Sequence, residues 1–451
     1  MGIKSKEKWW ALSLWLFMIL FFACQKEPGS NQSEEESIVE KLPDVPTEYS
    51  GVFLQGFWWD SFDDPKISNY SSYYAFLNDQ LDLLQSASFD LIWLPPTSEG
   101  EGMGYHPRRL FDFTSNHGTA TELRTLLTNM RSRNIHAMAD LVFNHRVGTD
   151  TWTDFTEPAW SCTSICIDDE GYTNPDAFGT KPCGPEDDGE AWLGARDLNH
   201  NSTEVRNGLV ELLQRLREIG FNAWRFDFVK GFHPRHVAYY DDAVERAFSV
   251  GEFWDGNVLK LKNWVDAVNQ VKTKNTPLTG FDFPLKYKLS AALNSSNYGV
   301  LKQNHALAAT DGYGSKAITF IDNHDSGCIN RNDCDNLFSK DIDKITQAYA
   351  YLLTHPGIPM VWIYHYLYSD PSGQLQQDLN ELISIRKSQK IHTTSIVREV
   401  ETVDGEAGYY HAVIEDKLKV VIGNGSPAVD SNSWESLKSG SGYSLWRKIG
   451  E

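Results

Sequence analysis

Three short apolar segments of this chain each run directly into a carboxylate. They cover residues 222–227, 248–252 and 318–325 and end in Asp227, Glu252 and Asp325. A fourth segment, residues 136–145, ends in a polar cluster of Asp140, Asn144 and His145. An acid at the carboxyl end of a buried strand is where a parallel α/β barrel keeps its reactive groups. Four such strand ends predict one shared active site.

Paired carboxyl groups at strand ends are suited to the cleavage of a glycosidic bond. That reaction needs one carboxylate that attacks or activates water and a second carboxyl that donates a proton. Arg225 and Asp227 share one face of a strand because they are two residues apart, and the guanidinium favours an ionised Asp227. Glu252 is followed by Phe253 and Trp254, and apolar surroundings raise a carboxyl pKa toward an acid role.

The bulk composition excludes some partners. With 451 residues, the chain is long enough for a large barrel and a smaller domain. Its formal net charge of -20 repels phosphate backbones, so we expect no nucleic-acid partner. The 15 Trp residues can fill a core, and their faces can also stack on sugar rings.

The first residues indicate export. Lys4, Lys6 and Lys8 precede an apolar run over 9–23 that ends at Cys24, which resembles the signal of a bacterial lipoprotein. We expect a signal peptide at 1–23, a disordered acidic tether at 24–50 and a lipid anchor on Cys24, at the outer membrane or cell surface. An ordinary secretory signal or an uncleaved anchor is the alternative.

Five further cysteines remain. Export permits disulfides. Cys328 and Cys334 could pair, and only one pair can form among Cys162, Cys166 and Cys183. A zinc site is less favoured because the spacing lacks a second Cys pair.

Strand-like and helix-like stretches alternate through most of the chain, which predicts a (β/α)8 TIM barrel. Helices are expected at 73–86, at 121–133 after a Thr119–Glu122 capping box, and from Asn201 to Ile219 with Glu204 in its first turn. The eight strands are expected near 52–57, 90–95, 136–142, 221–228, 247–252, 278–282, 316–321 and 358–363.

Two regions depart from this alternation. Residues 146–200 have no clear period and are predicted to be an inserted domain after strand 3. A last helix at 375–388 is followed by period-two alternation, which predicts a C-terminal antiparallel β domain at 391–451. The barrel then comprises 51–145 and 201–390.

Four segments at the predicted strand ends resemble, in order, the signature segments of the α-amylase family, glycoside hydrolase family 13. They are Asp-Leu-Val-Phe-Asn-His at 140–145, Trp-Arg-Phe-Asp-Phe-Val-Lys at 224–230, Val-Gly-Glu-Phe-Trp at 250–254 and Phe-Ile-Asp-Asn-His-Asp at 320–325. Segments at 54–59, 92–96, 104–110 and 443–449 look like the plant-type branch. The resemblance covers about 51–449 and implies retaining endo-hydrolysis of α-1,4-glucosidic bonds in starch, glycogen and related α-glucans.

The resemblance also implies roles for individual residues. Asp227 would be the nucleophile, Glu252 the general acid and base, and Asp325 the acid that binds the sugar and stabilises the transition state. The implied substrate-binding residues are Tyr105 beneath the sugar ring, His145 and His324 on its hydroxyls, Arg225 beside the nucleophile, and Lys230 and Trp254 on the leaving-group side.

Calcium is the cofactor implied by the resemblance, bound through oxygen ligands. Asn144, Asp197 and the carbonyl of Gly231 match three ligands. The fourth is expected from Asp187 or Asp188, and Asp188 is the residue assigned. Many α-amylases have His at the position of Gly231, whereas this chain shares its glycine with the plant-type branch. We expect a monomer that acts on an α-glucan polysaccharide or a maltooligosaccharide.

Other functions remain open at this stage. The scaffold could serve an exo-acting maltooligosaccharide-forming enzyme or a transglycosylase, because the loops decide between these activities. A non-catalytic starch-binding lipoprotein or an accessory subunit of a membrane transporter is disfavoured, because Asp227, Glu252 and Asp325 are all present beside Arg225.

Overall fold

The structure is a computed structural model and describes residues 48–450 apart from 169, 175, 177–178, 193, 303–304, 328–337 and 339–340. The expected signal peptide, the tether up to residue 47 and the cysteines Cys24, Cys328 and Cys334 therefore lie outside the described residues. Within the described part of the chain, no helix is long and apolar enough to cross a membrane.

Strands alternate with helices until the last helix, after which only strands follow. In chain order the described strands are β1 (Phe53–Gln55), β2 (Leu91–Trp93), β3 (Glu99–Glu101), β4 (His106–Arg109), β5 (His136–Leu141), β6 (His145–Arg146), β7 (Arg196–Asp197), β8 (Ala223–Phe226), β9 (Phe248–Gly251), β10 (Thr279–Phe281), β11 (Ala317–Thr319), β12 (Ile358–Trp362), β13 (Val397–Val403), β14 (Tyr409–Ile414), β15 (Leu418–Gly423), β16 (Trp434–Gly440) and β17 (Tyr443–Lys448). The described helices are α1 (Tyr73–Ser86), α2 (Ala120–Ser132), α3 (Glu170–Thr173), α4 (Thr203–Ile219), α5 (Pro234–Ala243), α6 (Val258–Val271), α7 (Phe283–Ser295), α8 (Ile342–Thr354), α9 (Ile363–Leu367) and α10 (Gln374–Ser388).

Eight parallel strands close into a barrel in the order β1-β2-β5-β8-β9-β10-β11-β12, with β12 pairing back to β1. All eight predicted strands are confirmed. Their residues are buried on both faces, as in β12, where all five residues from Ile358 to Trp362 are buried, because side chains fill the barrel interior and helices cover its outside. The register places Asp140 of β5 beside Arg225 of β8.

Two helix starts were predicted from capping signals, and the structure agrees with one of them. The Thr119–Glu122 capping box at the start of α2 is confirmed. The prediction that Asn201 opens the next helix is wrong, because Ser202 is the N-cap residue of α4 and makes no side-chain cap. Glu204 instead accepts hydrogen bonds from Ser161 of the insert, at 3.0 Å from its backbone N–H and 2.5 Å from its hydroxyl. A tertiary contact therefore takes the carboxylate that the sequence assigned to a local cap.

The insert over 146–200 is closed at its base by a pair of strands and is cross-linked internally by a disulfide. Strands β6 and β7 form a short antiparallel pair at its two ends. Cys162 and Cys183 form a disulfide, and Cys166 is free and buried. The expected single pair among three cysteines is thus confirmed. The guanidinium of Arg146 lies 4.7 Å from the ring centroids of both Phe155 and Trp160 and so joins β6 to the aromatic side chains of the insert.

The C-terminal segment folds into a five-stranded antiparallel sheet in the order β13-β14-β15-β17-β16. Its side chains bond to the barrel helices. Tyr410 lies 2.9 Å from Nε2 of His355, just after α8. Lys438 of β16 lies 2.8 Å from Asp378 of α10. The sheet therefore packs against the outside of the barrel and leaves the carboxyl ends of the barrel strands to the loops.

Candidate active site

The carboxyl ends of the barrel strands surround one cavity of about 360 Å³. Asp227 directly follows β8, Glu252 directly follows β9, and Asp325 lies in the loop after β11. All three line the cavity. The structure thus brings together three acids that are spread over 99 positions of the chain (325 − 227 + 1).

Arg225 is the electrostatic centre of the site. Its side chain is fully buried, with one terminal nitrogen 2.7 Å from Asp140 and 2.5 Å from Asp227, and the other 2.6 Å from Glu252. Burial alone would lower the pKa of Arg225, but the carboxylates of Asp140, Glu252 and Asp227 raise it well above its usual value. One permanent positive charge therefore holds three carboxyl groups in fixed positions, as the planar fork of a guanidinium allows.

Glu252 has the environment of a proton donor. Burial raises its pKa to about 8, the charges of Asp227 and Asp325 act in the same direction, and Arg225 opposes them. The backbone N–H of Phe228 donates to its second oxygen at 3.2 Å. Glu252 therefore carries a proton at neutral pH. After the proton has been transferred, the guanidinium of Arg225 and the N–H of Phe228 stabilise the carboxylate.

Asp140 belongs to the predicted strand-end cluster, but the sequence assigned it no role of its own. It accepts hydrogen bonds from Tyr105 at 2.7 Å, from Trp93 at 3.1 Å and from Arg225 at 2.7 Å. It thus fixes the orientation of two predicted substrate-binding side chains. Its place opposite Arg225 in the β5–β8 register is the signal that could have revealed it.

His324 and Asp325 form a pair on the loop after β11. Gln55 of β1 donates to Nδ1 of His324 at 2.8 Å if Nε2 carries the ring proton, and Nε2 lies 3.1 Å from the carboxylate of Asp325. The side-chain oxygen of Asn323 accepts from the backbone N–H groups of Asp325 and Ser326, which shapes this loop. The pair presents a carboxylate and an imidazole edge to the cavity.

Three aromatic rings form a parallel stack beside the acids. The Tyr105 ring lies 5.2 Å from that of His324 with an interplanar angle of 8°, and Trp59 lies 5.7 Å from Tyr105 at 5°. All three line the cavity. Trp59 was not among the predicted site residues, because a Trp after a strand is equally typical of the core.

His145 is held by bonds on both ring nitrogens. Nε2 lies 2.8 Å from the carbonyl of Tyr105, and Nδ1 lies 3.3 Å from the amide of Asn144. Burial lowers its pKa to about 4, so the imidazole is neutral at pH 7. Trp192 of the insert stacks on it with ring centroids 4.0 Å apart. Trp192 lies in the part of the chain without periodicity, so no sequence signal marked it.

Of the two residues predicted on the leaving-group side, Trp254 lines the cavity and Lys230 does not. Trp254 lines the cavity, donates to the Tyr287 hydroxyl at 2.9 Å and stacks on Phe283 at 4.7 Å. The Lys230 ammonium lies 3.5 Å from Asp255 and 3.6 Å from Glu190, so it pairs with acids of the barrel loop and the insert. Lys230 is outside the lining of the cavity.

Three of the four predicted calcium ligands lie together between barrel and insert. The side-chain oxygen of Asn144 is buried and accepts no hydrogen bond from the described part of the chain, and its amide nitrogen donates to Asp197 at 3.1 Å. A β-carbon at Gly231 would lie 1.8 Å from that Asn144 oxygen, so only glycine fits there. The amide oxygen of Asn144, the carboxylate of Asp197 and the accessible carbonyl of Gly231 are oxygen ligands of the kind that a hard cation prefers.

The carboxylate of Asp188 is already occupied by other partners. Its carboxylate accepts from the backbone of His233 at 2.9 Å and pairs with Arg235 at 2.6 Å and His236 at 3.0 Å. Asp187 instead has a buried oxygen that accepts no hydrogen bond from the described residues, and burial, with the charge of Asp168 acting in the same direction, raises its pKa to about 6. Of the two acids, Asp187 is the one with a carboxyl oxygen left for a cation.

No three His, Cys, Asp or Glu side chains converge as a metal cluster in the described residues. A cation at this position would therefore depend on the amide oxygen of Asn144 and the carbonyl of Gly231 as well as on carboxylates. That donor set consists only of oxygen atoms, which matches calcium rather than zinc.

The fold and the site together define a class of enzyme. A closed parallel barrel holds a buried, protonated glutamic acid and a second carboxyl group, both in contact with one arginine. Parallel aromatic rings lie beside them. This is the arrangement of a glycoside hydrolase.

Comparisons with known proteins give the family. The "Alpha amylase, catalytic domain" profile matches residues 60–164. "Probable alpha-amylase 2" of Arabidopsis thaliana is 29% identical over 414 residues, covering 88% of this chain and 94% of that protein. The "Alpha-amylase type B isozyme" of Hordeum vulgare is 30% identical over 140 residues, covering 30% of this chain and 82% of that sequence. The crystal structure of an Anoxybacillus alpha-amylase shares the fold, with a TM-score of 0.65, 17% identity and coverage of 90% and 98%. The chain belongs to the α-amylase family of glycoside hydrolases.

Proposed function

We propose that this protein is an α-amylase that hydrolyses internal α-1,4-glucosidic bonds of starch, glycogen and related α-glucans with retention of configuration. One observation carries the proposal. Arg225 contacts both Asp227 and Glu252, while Glu252 has a pKa raised to about 8. A carboxylate fixed as nucleophile and a neighbouring carboxyl that keeps its proton are the two groups a retaining mechanism needs.

In the first step Asp227 attacks the anomeric carbon while Glu252 gives its proton to the departing glycosidic oxygen. Asp227 is then bound covalently to the sugar and has lost its negative charge. Because that charge helps to raise the pKa of Glu252, its loss lowers this pKa, and Glu252 becomes a carboxylate after it has given up its proton. In the second step Glu252 takes a proton from the attacking water, and the ester at Asp227 is broken.

The remaining residues hold the sugar during both steps. Asp325 and His324 face the cavity side by side, with Nε2 of His324 3.1 Å from the carboxylate of Asp325, and their side chains can accept from and donate to hydroxyl groups. The parallel rings of Tyr105, His324 and Trp59 offer a flat apolar wall for the sugar ring. Contacts that strengthen as positive charge develops on the sugar lower the barrier.

The test is incubation of the purified protein with amylose, with reducing ends and product sizes measured over time. We expect a mixture of maltooligosaccharides from the earliest points. Asp227→Asn should reduce the rate by roughly 10³-fold or more while leaving the melting temperature nearly unchanged. Absence of cleavage by the unmutated protein would refute the enzyme assignment, and a single short product from the start would point to an exo-acting enzyme.

Members of this family generally bind calcium, and we propose a calcium ion between barrel and insert here. Asn144, Asp197 and the carbonyl of Gly231 would hold it, with Asp187 in place of Asp188 as the acid from the insert. The support is the buried oxygen of Asn144, which accepts no hydrogen bond from the described residues and lies next to the backbone of Gly231. Bound calcium would supply structural cross-linking of the insert to the barrel.

We also propose that the protein is exported and anchored by lipid on Cys24. The support is the sequence before Cys24 and the Cys162–Cys183 disulfide, which suits an oxidising compartment. Cys24→Ser should move the protein from the membrane fraction to the soluble fraction of cells. Unchanged fractionation would contradict a lipid anchor.

A further inference from the structure

Trp192 is an aromatic side chain of the insert that lines the catalytic cavity. It is only half-buried, so core packing does not account for it. Two other aromatic rings of the insert, Trp152 and Tyr172, are exposed by 39% and 38% and lie over the cations of Arg196 and Lys181. Neither of them is among the residues that line the cavity. Trp192 therefore needs an explanation that involves the cavity.

The position of the Trp192 ring is fixed by three neighbours. It stacks on His145 with ring centroids 4.0 Å apart and an interplanar angle of 20°, and it is tilted against His106 at 5.7 Å. A β-carbon at Gly194 would lie 3.1 to 3.4 Å from three atoms of the indole, so a larger residue there would push the ring away. Gly194 also has a φ of +157°. An indole held in place before ligand binds loses little entropy on binding.

The indole and the Tyr105–His324–Trp59 stack give the cavity two separate aromatic surfaces. The stack lies with the catalytic acids, whereas Trp192 comes from the insert and lies against His145. The C–H face of a glucosyl ring packs well on such a surface, because a large rigid aromatic ring buries apolar area without losing many rotamers. A cavity of about 360 Å³ is near the lower limit for ligand sites, so it holds only a short stretch of glucan.

We infer that Trp192 is a stacking platform for the glucosyl residue next to the one at the catalytic acids, and that it sets the affinity for short maltooligosaccharides. This inference rests on the proposed α-glucan hydrolysis and adds a residue that determines its substrate preference. Short substrates depend on Trp192 more than amylose does, because a long chain keeps contacts outside the cavity. Trp192 touches the substrate in this account, and its contact with His145 is secondary.

The test compares Trp192→Ala and Trp192→Phe with Tyr172→Ala in the full-length protein. Tyr172 is an exposed aromatic residue of the same insert outside the cavity lining, so it controls for effects on the insert as a whole. Trp192→Ala should raise KM for maltopentaose about 3- to 10-fold, the range for one lost aromatic contact, while kcat stays within about 2-fold. Trp192→Phe should recover most of the affinity, and Tyr172→Ala should behave as the unmutated protein.

Two outcomes would overturn the inference. One is an unchanged KM in Trp192→Ala, and the other is a lower kcat with unchanged KM, which would mean that the ring only positions His145. If the unmutated protein cleaves no glucan, the proposed function fails, and the inference is decided by calorimetry with maltopentaose. Asp227→Asn with and without Trp192→Ala should then differ in affinity by the same factor, and equal affinities would contradict the platform.

Discussion

At the scale of residues, the site is governed by the balance of charge around Arg225. Three buried carboxyl groups, those of Asp140, Asp227 and Glu252, share one guanidinium. Three full negative charges on one positive charge in a buried site would be costly, so a proton is retained. Glu252 is the group that retains it, because its pKa rises to about 8, whereas burial raises the pKa of Asp140 only to about 7.

The pH dependence of kcat/KM follows from this. Glu252 must be protonated to act as the acid, so kcat/KM should fall as pH rises through about 8. Because the charge of Asp325 helps to raise that pKa, Asp325→Asn should move the alkaline limb to lower pH. Profiles of kcat/KM for both proteins on maltopentaose check this. A limb that stays in place or moves to higher pH would contradict the electrostatic coupling.

Arg225→Lys tests the shared guanidinium. A lysine keeps the charge but cannot contact Asp227 through one nitrogen and Glu252 through another. We expect kcat/KM to fall by at least about 10²-fold, since misplaced catalytic groups cost that much. Arg246→Lys is the matched control, because Arg246 is also buried and pairs with Asp241 and Ser249 outside the cavity. Equal loss of activity in both variants would show that the effect is one of stability alone.

At the scale of elements, local patterns determine the barrel but not the insert. The eight strands and the α2 capping box are predicted because burial on both faces and a local cap leave signals within a few residues. The start of α4 is mispredicted because Glu204 is used by Ser161, 43 positions away. The insert has no period at all, so the choice of Cys183 as the partner of Cys162 could not be predicted.

The contact between α4 and the insert gives a prediction for Gly208. A β-carbon at this buried position would lie 2.6 Å from Cζ2 of Trp160. Although alanine favours a helix over glycine by up to about 1 kcal/mol, overpacking costs about 1 to 3 kcal/mol. Gly208→Ala should therefore lower the free energy of unfolding, as measured by urea denaturation. Gln214→Ala on the exposed face of α4 should have almost no effect, and a stabilised Gly208→Ala would show that Trp160 moves freely.

At the scale of the whole molecule, the barrel supplies the acids and the insert completes the cavity. The three cavity acids and Arg225 could be placed from the sequence, because Asp227 and Glu252 directly follow recognisable strands, Asp325 lies in the loop after β11, and Arg225 lies within β8. Trp192 and the acid of the insert could not, since their positions depend on how the insert folds over β5 and β8. Asp188 was assigned from the sequence, whereas Asp187 carries the oxygen that lacks a hydrogen bond.

The proposed calcium ion between barrel and insert should stabilise the whole fold. A ligand at 100 times its dissociation constant adds about 2.7 kcal/mol to the free energy of unfolding. Removal of calcium by a chelator should therefore lower the melting temperature, and added calcium should restore it. Asn144→Ala should melt at a lower temperature and respond less to the chelator. An unmutated protein whose melting temperature ignores chelation would contradict a calcium site linked to folding.

The anomeric configuration of the first products tests directly whether Asp227 forms a covalent bond to the sugar. If Asp227 forms a covalent bond to the sugar and Glu252 then activates water, two inversions leave the α-configuration. Proton NMR of maltopentaose hydrolysis, recorded before mutarotation, should show the α-anomer first. Initial release of the β-anomer would contradict the assignment of Asp227 as nucleophile.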